Sequence, residues 1–377
     1  MLEPHRLISF TWLLVICLLI ALASGCQQTP ALSTSPPSAA AASTEDQHTE
    51  VKFLAVGDIM LSRGVTMAIN RANDPLLPFK RLSDLFLSTD FNFGNLESPF
   101  SGNDGYIGRG LVFNAQTRNI AGLKAYNLKV LNLANNHALD QRLAGLQYTR
   151  KYLEDNAITY LGVGDRKEEA WQPKIIEIRG VKIGFIGASY ASFNDGGAGR
   201  NDYVARIEEI DHLRNAIARL KSKVNFVLVT MHAGTEYTRR PNKSQVDFAR
   251  AAVELGADLV IGAHPHWIQS VEYYRGKCIF YSLGNFIFDQ EWSQDTKEGL
   301  AIKVTLDGKK RKNDPSLWGL DLDSMPGFRP AAVVKHIELI PVIIENYSTP
   351  RRATVAESER ILGKIDIASQ CIDPQLK

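Results

Sequence analysis

Three of the chain's eight histidines stand at the ends of two apolar runs. His232 follows Phe226 to Met231, and His264 and His266 follow Asp258 to Gly262. Neither run needs an imidazole for its packing. Residues two apart in an extended chain point to the same side, so the spacing predicts that His264 and His266 present their rings to one spot, as a metal pair requires. Other apolar runs end in comparable chemistry. Val51 to Val56 leads to Asp58, Asp90 to Phe93 leads to Asn95 and Glu97, and Leu128 to Leu133 leads to Asn135, Asn136 and His137. Asp140 is expected one turn into the helix that follows, and Glu236 lies just beyond His232. Carboxylate, carboxamide and imidazole together suit manganese, zinc or iron better than calcium. Each cluster alone has an ordinary explanation: Asp58 as a turn residue, one of Asn135 and Asn136 as a helix cap, His232 as a satisfied core histidine. Their recurrence after five strands points instead to a site for a divalent transition metal, as one ion or a pair.

The elements that must position these residues follow from the pattern. Short apolar runs rich in β-branched residues are typical of a sheet covered on both faces, whose loops at the C-terminal strand edge carry the chemistry. Leu139 to Asn156, Ile207 to Lys223 and Ser244 to Gly256 have helical periodicity, and Val181 to Gly187 reads as a buried strand. Ser270 to Phe288 reads as a β-hairpin turning at Arg275, Gly276 and Lys277. Leu300 to Leu306 and Val333 to Ile344 are expected to pair, with a polar insertion from Asp307 to Arg329 between them. The result is a layered α/β plan. A last helical segment within 351–377, from Val355 to Ser369, is expected on the rim.

The N-terminus adds an address. Arg6 precedes an apolar stretch from Leu7 to Ala23 that ends in Ser24, Gly25 and Cys26, too short for a confident spanning helix. It resembles a bacterial lipoprotein signal over residues 1–26, with Cys26 the lipidated residue; an uncleaved N-terminal anchor is the alternative, and in either case the expected location is the cell envelope, outside the cytoplasm, lipid-anchored in the first. Residues 27–50, rich in Ser, Thr, Ala and Pro, read as a flexible tether, and 51–350 as the folded domain. Formal net charge is only +2, so no global field recruits nucleic acid, and recognition of anions must be local. With Cys17 inside the signal, Cys278 and Cys371 remain; they could pair in an oxidising envelope, and Cys278 could equally be a buried thiol. No Gly-rich phosphate loop or nucleophile elbow is present; Gly187, Ala188 and Ser189 lack the flanking pattern.

The segments VGDIMLSRGV, NFGNLESPFSG, LNLANNHALDQRLAGL, MHAGTEY, GAHPHWIQSVEYY and IFYSLGNFIFDQ together resemble the capsule synthesis proteins of the CapA type, over roughly Val51 to Asp289. That family is associated with poly-γ-glutamate, and its fold is similar to the calcineurin-like metallophosphatases. The resemblance implies a four-layer α/β/β/α sandwich. It implies Asp58, Glu97, Asn136, His232, His264 and His266 as metal ligands, with His137 beside them as acid or electrostatic stabiliser, oriented by Asp140. Where the phosphatases carry a His two residues after the first Asp, this chain has Met60, and their bridging Asp is replaced by Glu97. One of the two metal positions thus loses a ligand.

A metal here would act as a Lewis acid or generate hydroxide near neutral pH, with His137 protonating a leaving group. For a γ-glutamyl polymer, Arg63 is a candidate carboxylate clamp and Asn95 a further substrate contact, whereas Arg109 and Arg118 read as solvated surface groups. Two function classes follow. One is a metal-dependent hydrolase or transferase acting on poly-γ-glutamate or a related anionic polymer. The other is a non-catalytic accessory subunit that binds the polymer, and with it a membrane synthase. A phosphodiesterase or nucleotidase is the alternative enzyme.

Overall fold

The computed structural model describes residues 49–192, 201–308 and 332–372, all within one compact unit spanning 46–377. The signal-like stretch with Cys17 and Cys26, the tether as far as residue 48 and the insertion beyond Gly308 lie outside the described residues. Among the described residues no helix is long and apolar enough to cross a membrane.

Fourteen strands among the described residues build two sheets. The first contains β1 (Glu50–Ile59), β2 (Phe91–Leu96), β3 (Leu128–Asn132), β4 (Thr159–Leu161), β11 (Asn285–Ile287), β12 (Glu298–Asp307), β13 (Val333–Glu345) and β14 (Thr349–Arg352). The second contains β5 (Lys174–Ile178), β6 (Val181–Ser189), β7 (Phe226–His232), β8 (Leu259–Ala263), β9 (Val271–Tyr274) and β10 (Lys277–Phe280). Strand orders are β14-β13-β12-β1-β2-β3-β4, with β11 also on β1, and β5-β6-β7-β8-β10-β9. The centres of both sheets are parallel, β1 to β4 in one and β6 to β8 in the other.

Two-residue alternation sorts the side chains into layers. Val51, Phe53 and Ala55 of β1 join Phe185, Phe226, Leu228 and Ile261 of the opposite sheet in a core between the sheets. Leu54 and Val56 face the other way, with Val65, Ile69, Leu123 and Leu146 of the covering helices. On the far side, Val227, Val229 and Val260 pack with Leu213 and Ile217 of one helix and Phe248 and Ala252 of another. The architecture is the expected four-layer α/β/β/α sandwich. Burial on both faces is why the runs at β7 and β8 carry no polar alternation.

Several boundaries differ from the sequence expectation. The helix expected from Leu139 spans Arg142–Asp155. His137 and Asp140 sit in the turn before it, closed by Asp140 N donating to His137 O at 3.1 Å. Neither Asn135 nor Asn136 caps this helix; the capping position is Gln141, without a side-chain bond. The helices expected over 207–223 and 244–256 span Ile210–Lys221 and Lys243–Leu255, the second opened by an Asn242–Gln245 capping box. The hairpin is shorter than expected. Arg275 and Gly276 take φ of 47° and 82°, the left-handed pair a tight two-residue turn needs, and join β9 to β10. After Phe280 the chain leaves that sheet, and β11 pairs parallel with β1, which sets Asn285 beside Asp58. A Cβ on Gly57 would lie 1.9 Å from Gly284 O, so this approach requires glycine.

β12 and β13 pair antiparallel as expected. β14 straddles residue 350, and the last helix is short, Val355–Leu362, followed by a 3-10 turn at Ser369–Cys371. It is more than a rim feature, because Ile361 and Cys371 belong to the core between the sheets. Cys371 forms a disulfide with Cys278, Cα to Cα 5.7 Å, which decides between the two states the sequence left open.

Candidate metal centre

The C-terminal ends of the parallel strands from both sheets converge on one buried cluster. Asp58 comes from β1, Asn95 and Glu97 from β2 and the residue after it, and Asn136 and His137 from the turn after β3. His232 ends β7, and His264 and His266 follow β8. Asp58, Glu97 and His232 have ligand atoms all within 4.8 Å of one another, and all three are fully buried.

The links between them are specific. Asn95 Nδ2 donates to Asp58 Oδ1 at 2.8 Å and faces His232 Nδ1 at 3.1 Å, while Asn95 Oδ1 accepts from Asn132 Nδ2 at 2.9 Å. Both ends of this carboxamide are therefore committed behind the ligands. β2 turns the Asn95 side chain toward Asp58 and His232. Asn136 Oδ1 lies 2.8 Å from His232 Nε2. His264 donates its backbone N–H to Asp58 Oδ2 at 3.2 Å, and His266 Nδ1 lies 3.8 Å from the same oxygen. Asn285 Oδ1 holds His266 Nδ1 at 2.9 Å.

His264 and His266 do converge, ring centroids 6.1 Å apart, but not by strand alternation. β8 ends at Ala263, and both histidines have positive φ, 101° and 58°, in the turn beyond. Such backbone is strained for residues with a Cβ and persists where the surroundings over-determine it.

His137 Nδ1 lies 2.8 Å from Asp140 Oδ2, an oxygen that also accepts from Phe113 N, so the imidazole is the donor and Nδ1 carries the hydrogen. Its Nε2 points the other way, 3.7 Å from Glu97 Oε1. Arg63 sits close by with its guanidinium paired to Asp289, a residue the sequence reading did not single out. Met60 is fully buried and its sulfur lies 3.1 Å from Ser62 N.

Electrostatics fit a cation. Burial pushes the Glu97 carboxyl well above the usual carboxylate range, with Asp58's charge adding to it, and burial likewise raises Asp58. Burial holds His232 and His264 well below their ordinary values and His266 down to about 4, so all three are neutral, the form that ligates metal. Both carboxylate oxygens of Glu97 and Nδ1 of His264 are buried without a hydrogen-bond partner. Unpartnered buried acceptors are costly, and two carboxylates with no donor between them must hold either a proton or a cation. The donor set of carboxylate, carboxamide and neutral imidazole is that of a divalent transition metal.

The fold and this cluster define an α/β/β/α protein whose two sheets meet at a buried cluster able to hold a metal ion. The family described as "Bacterial capsule synthesis protein PGA_cap" matches residues 52–290, and the chain belongs to it. "Capsule biosynthesis protein CapA" of Bacillus anthracis is 30% identical over 268 residues, covering 69% of this chain and 65% of that protein. "PGA biosynthesis protein CapA" of Bacillus subtilis (strain 168) is 32% identical over 255 residues, covering 67% and 66%. The chain thus spans just under two thirds of the length of these curated relatives. Among solved structures, a phosphatase of Mycoplasma pneumoniae aligns with a TM-score of 0.47 at 11% identity, covering 78% of this chain and 94% of that one. A 5′-nucleotidase precursor from Thermus thermophilus aligns with a TM-score of 0.47 at 12% identity, covering 78% and 55%.

Proposed function

We propose that this protein is a capsule-biosynthesis hydrolase or transferase of the cell envelope, acting on poly-γ-glutamate or a related anionic γ-glutamyl polymer with a divalent transition metal. The observation that carries the reading is Glu97, whose two buried oxygens lack a hydrogen-bond partner and which clusters with Asp58 and His232, its Oε1 3.7 Å from His137 Nε2. Asp58, Glu97, Asn136, His232, His264 and His266 would hold manganese, zinc or iron. Such an ion supplies Lewis-acid charge for a polarised carbonyl or phosphoryl oxygen.

The chain's own groups do the rest. Asp140 fixes His137 with its hydrogen on Nδ1, leaving the Nε2 lone pair to take a proton from the attacking water or amine and return it to the departing nitrogen as the γ-glutamyl C–N bond breaks and the bond to the attacking atom forms. Arg63, paired to Asp289, would offer its fork to a polymer carboxylate by exchanging that partner. Support for the address comes from the disulfide, which belongs in an oxidising compartment, and from the signal-like segment ending at Cys26.

A second reading, a non-catalytic subunit that binds polymer and a membrane synthase, is favoured by Met60. Its sulfur is turned toward Ser62 N, so this position offers no imidazole to a second ion. The test compares wild type with His137→Ala in a strain lacking the native copy. Polymer cleavage and capsule yield that fall together while metal content holds favour the enzyme. Unchanged yield with full metal favours the binding subunit, and cleavage of phosphodiesters alone favours the nucleotidase-type alternative.

A further inference from the structure

The aromatic ring of Phe113 stacks on the imidazole of His137, centroids 3.9 Å apart and planes 24° from parallel. The guanidinium carbon of Arg63 lies over the same ring at 4.5 Å. Both groups pack on this one ring, and Arg63 is held in turn by its pairing to Asp289. Phe113 also acts through its backbone. Its N–H donates at 2.6 Å to Asp140 Oδ2, the oxygen that accepts from His137 Nδ1 at 2.8 Å, and its carbonyl accepts from Gln141 Nε2 at 2.7 Å. The loop that carries it is pinned from the other side, where Arg63 N donates to Ile107 O at 2.8 Å and Asn114 N donates to Ser62 Oγ at 3.0 Å.

We propose that Phe113 is the positioning residue of the His137–Asp140 pair, its ring fixing the plane of the imidazole and its backbone N–H fixing the carboxylate that orients it. This rests on His137 as the proton donor of the proposed reaction. The turn holding His137 and Asp140 is irregular, and the helix begins only at Arg142. Within that turn the bond to Asp140 fixes where Nδ1 points but not the tilt of the ring plane. An aromatic face fixes that tilt, because a slab at stacking distance admits only a near-parallel partner. With the plane fixed, Nε2 is held toward Glu97; without it, the bond to Asp140 alone leaves the ring free to tilt about its Nδ1. Arg63 then has a structural part, bracing Phe113 through a cation–π contact.

The experiment uses the full chain with isotope-labelled histidine, loaded with zinc, and His137→Gln to assign the His137 signals. In wild type the His137 ring protons are expected upfield of those of the other site histidines, through the ring current of Phe113, with a slowly exchanging Nδ1–H. Phe113→Leu, which keeps bulk but loses the flat face, should lose both signatures and lower kcat on poly-γ-glutamate or a chromogenic phosphodiester by about 10–100-fold. KM and zinc content should stay within about 2-fold, since the ligands are untouched. Phe113→Tyr, which restores the flat face, should restore both signatures. His137 ring protons without upfield displacement in wild type, or an Nδ1–H that survives unchanged in Phe113→Leu, would overturn the proposal. So would loss of zinc together with kcat in the leucine variant, which would make Phe113 a packing residue. Should the leucine variant not fold, the wild-type and tyrosine spectra decide. Wild type with the full spectroscopic pattern and no turnover on either probe counts against the hydrolase reading alone.

Discussion

Asp58 and His232 belong to different sheets, yet Asp58 Oδ1 lies 3.7 Å from His232 Nδ1 with both side chains fully buried. The carboxamide of Asn95 touches both, and this three-residue seam joins the two sheets at the site. A metal held there would tie its affinity to the packing of the sheets.

Asn95→Ala is expected to weaken binding of manganese or zinc by about 10–100-fold, the usual cost of losing a group that orients ligands. Titration calorimetry on chelator-treated protein measures it. An affinity equal to wild type would show that Asn95 orients nothing.

His264→Ala combined with His266→Ala should leave the full chain without stoichiometric metal by elemental analysis, even after reconstitution with manganese or zinc. Metal retained at the wild-type level would place the site elsewhere.

Metal binding should release protons at neutral pH. Burial raises both Asp58 and Glu97, so the metal-free pair carries a proton that unfolded carboxylates would have lost, and the cation displaces it. The site histidines contribute none, because burial keeps them neutral there. Stability has the matching sign. For carboxyls raised in the folded state, the contribution present below about pH 4 is lost as pH rises through their folded values, so the metal-free protein should gain most from added metal on the alkaline side. Calorimetry in buffers of differing ionisation enthalpy counts the protons; a release of none at pH 7 contradicts the charge assignment.

His137→Ala should keep fold and metal and lose about two to four orders of magnitude in turnover, the usual contribution of positioned proton transfer. Rates on poly-γ-glutamate, with metal content measured in parallel, provide the check. An unchanged rate removes the acid role.

Phe185→Ala should destabilise the protein by about 3–5 kcal/mol, because its ring fills the space between the sheets against Phe91 and Phe93, centroids 6.0 and 6.3 Å away. Denaturant unfolding monitored by circular dichroism reads the loss directly.

Much of this was legible in the sequence, for a local reason. Apolar runs buried on both faces mark strands by composition alone, and a polar residue at the end of such a run has little reason to be there except chemistry; Asp58, Glu97, His232, His264 and His266 stand out in this way. Alternation and turn chemistry fixed the short β9–β10 turn and the pairing of β12 with β13. Other features depend on contacts between segments far apart in the chain. Asn285 reaches Asp58 because β11 leaves one sheet for the other, which needs a glycine at 57 more than 200 residues away to make room. Phe113 faces His137 only because its loop is pinned to the segment at Ser62 and Arg63. The convergence of His264 and His266 came from two strained φ angles beyond β8 and not from the strand period that suggested it. The pairing of Cys278 with Cys371 needed a C-terminal segment folded back under the second sheet. Sequence fixes which residues are out of place in an apolar run; only the tertiary fold, by satisfying or failing to satisfy their buried polar atoms, decides what they are for.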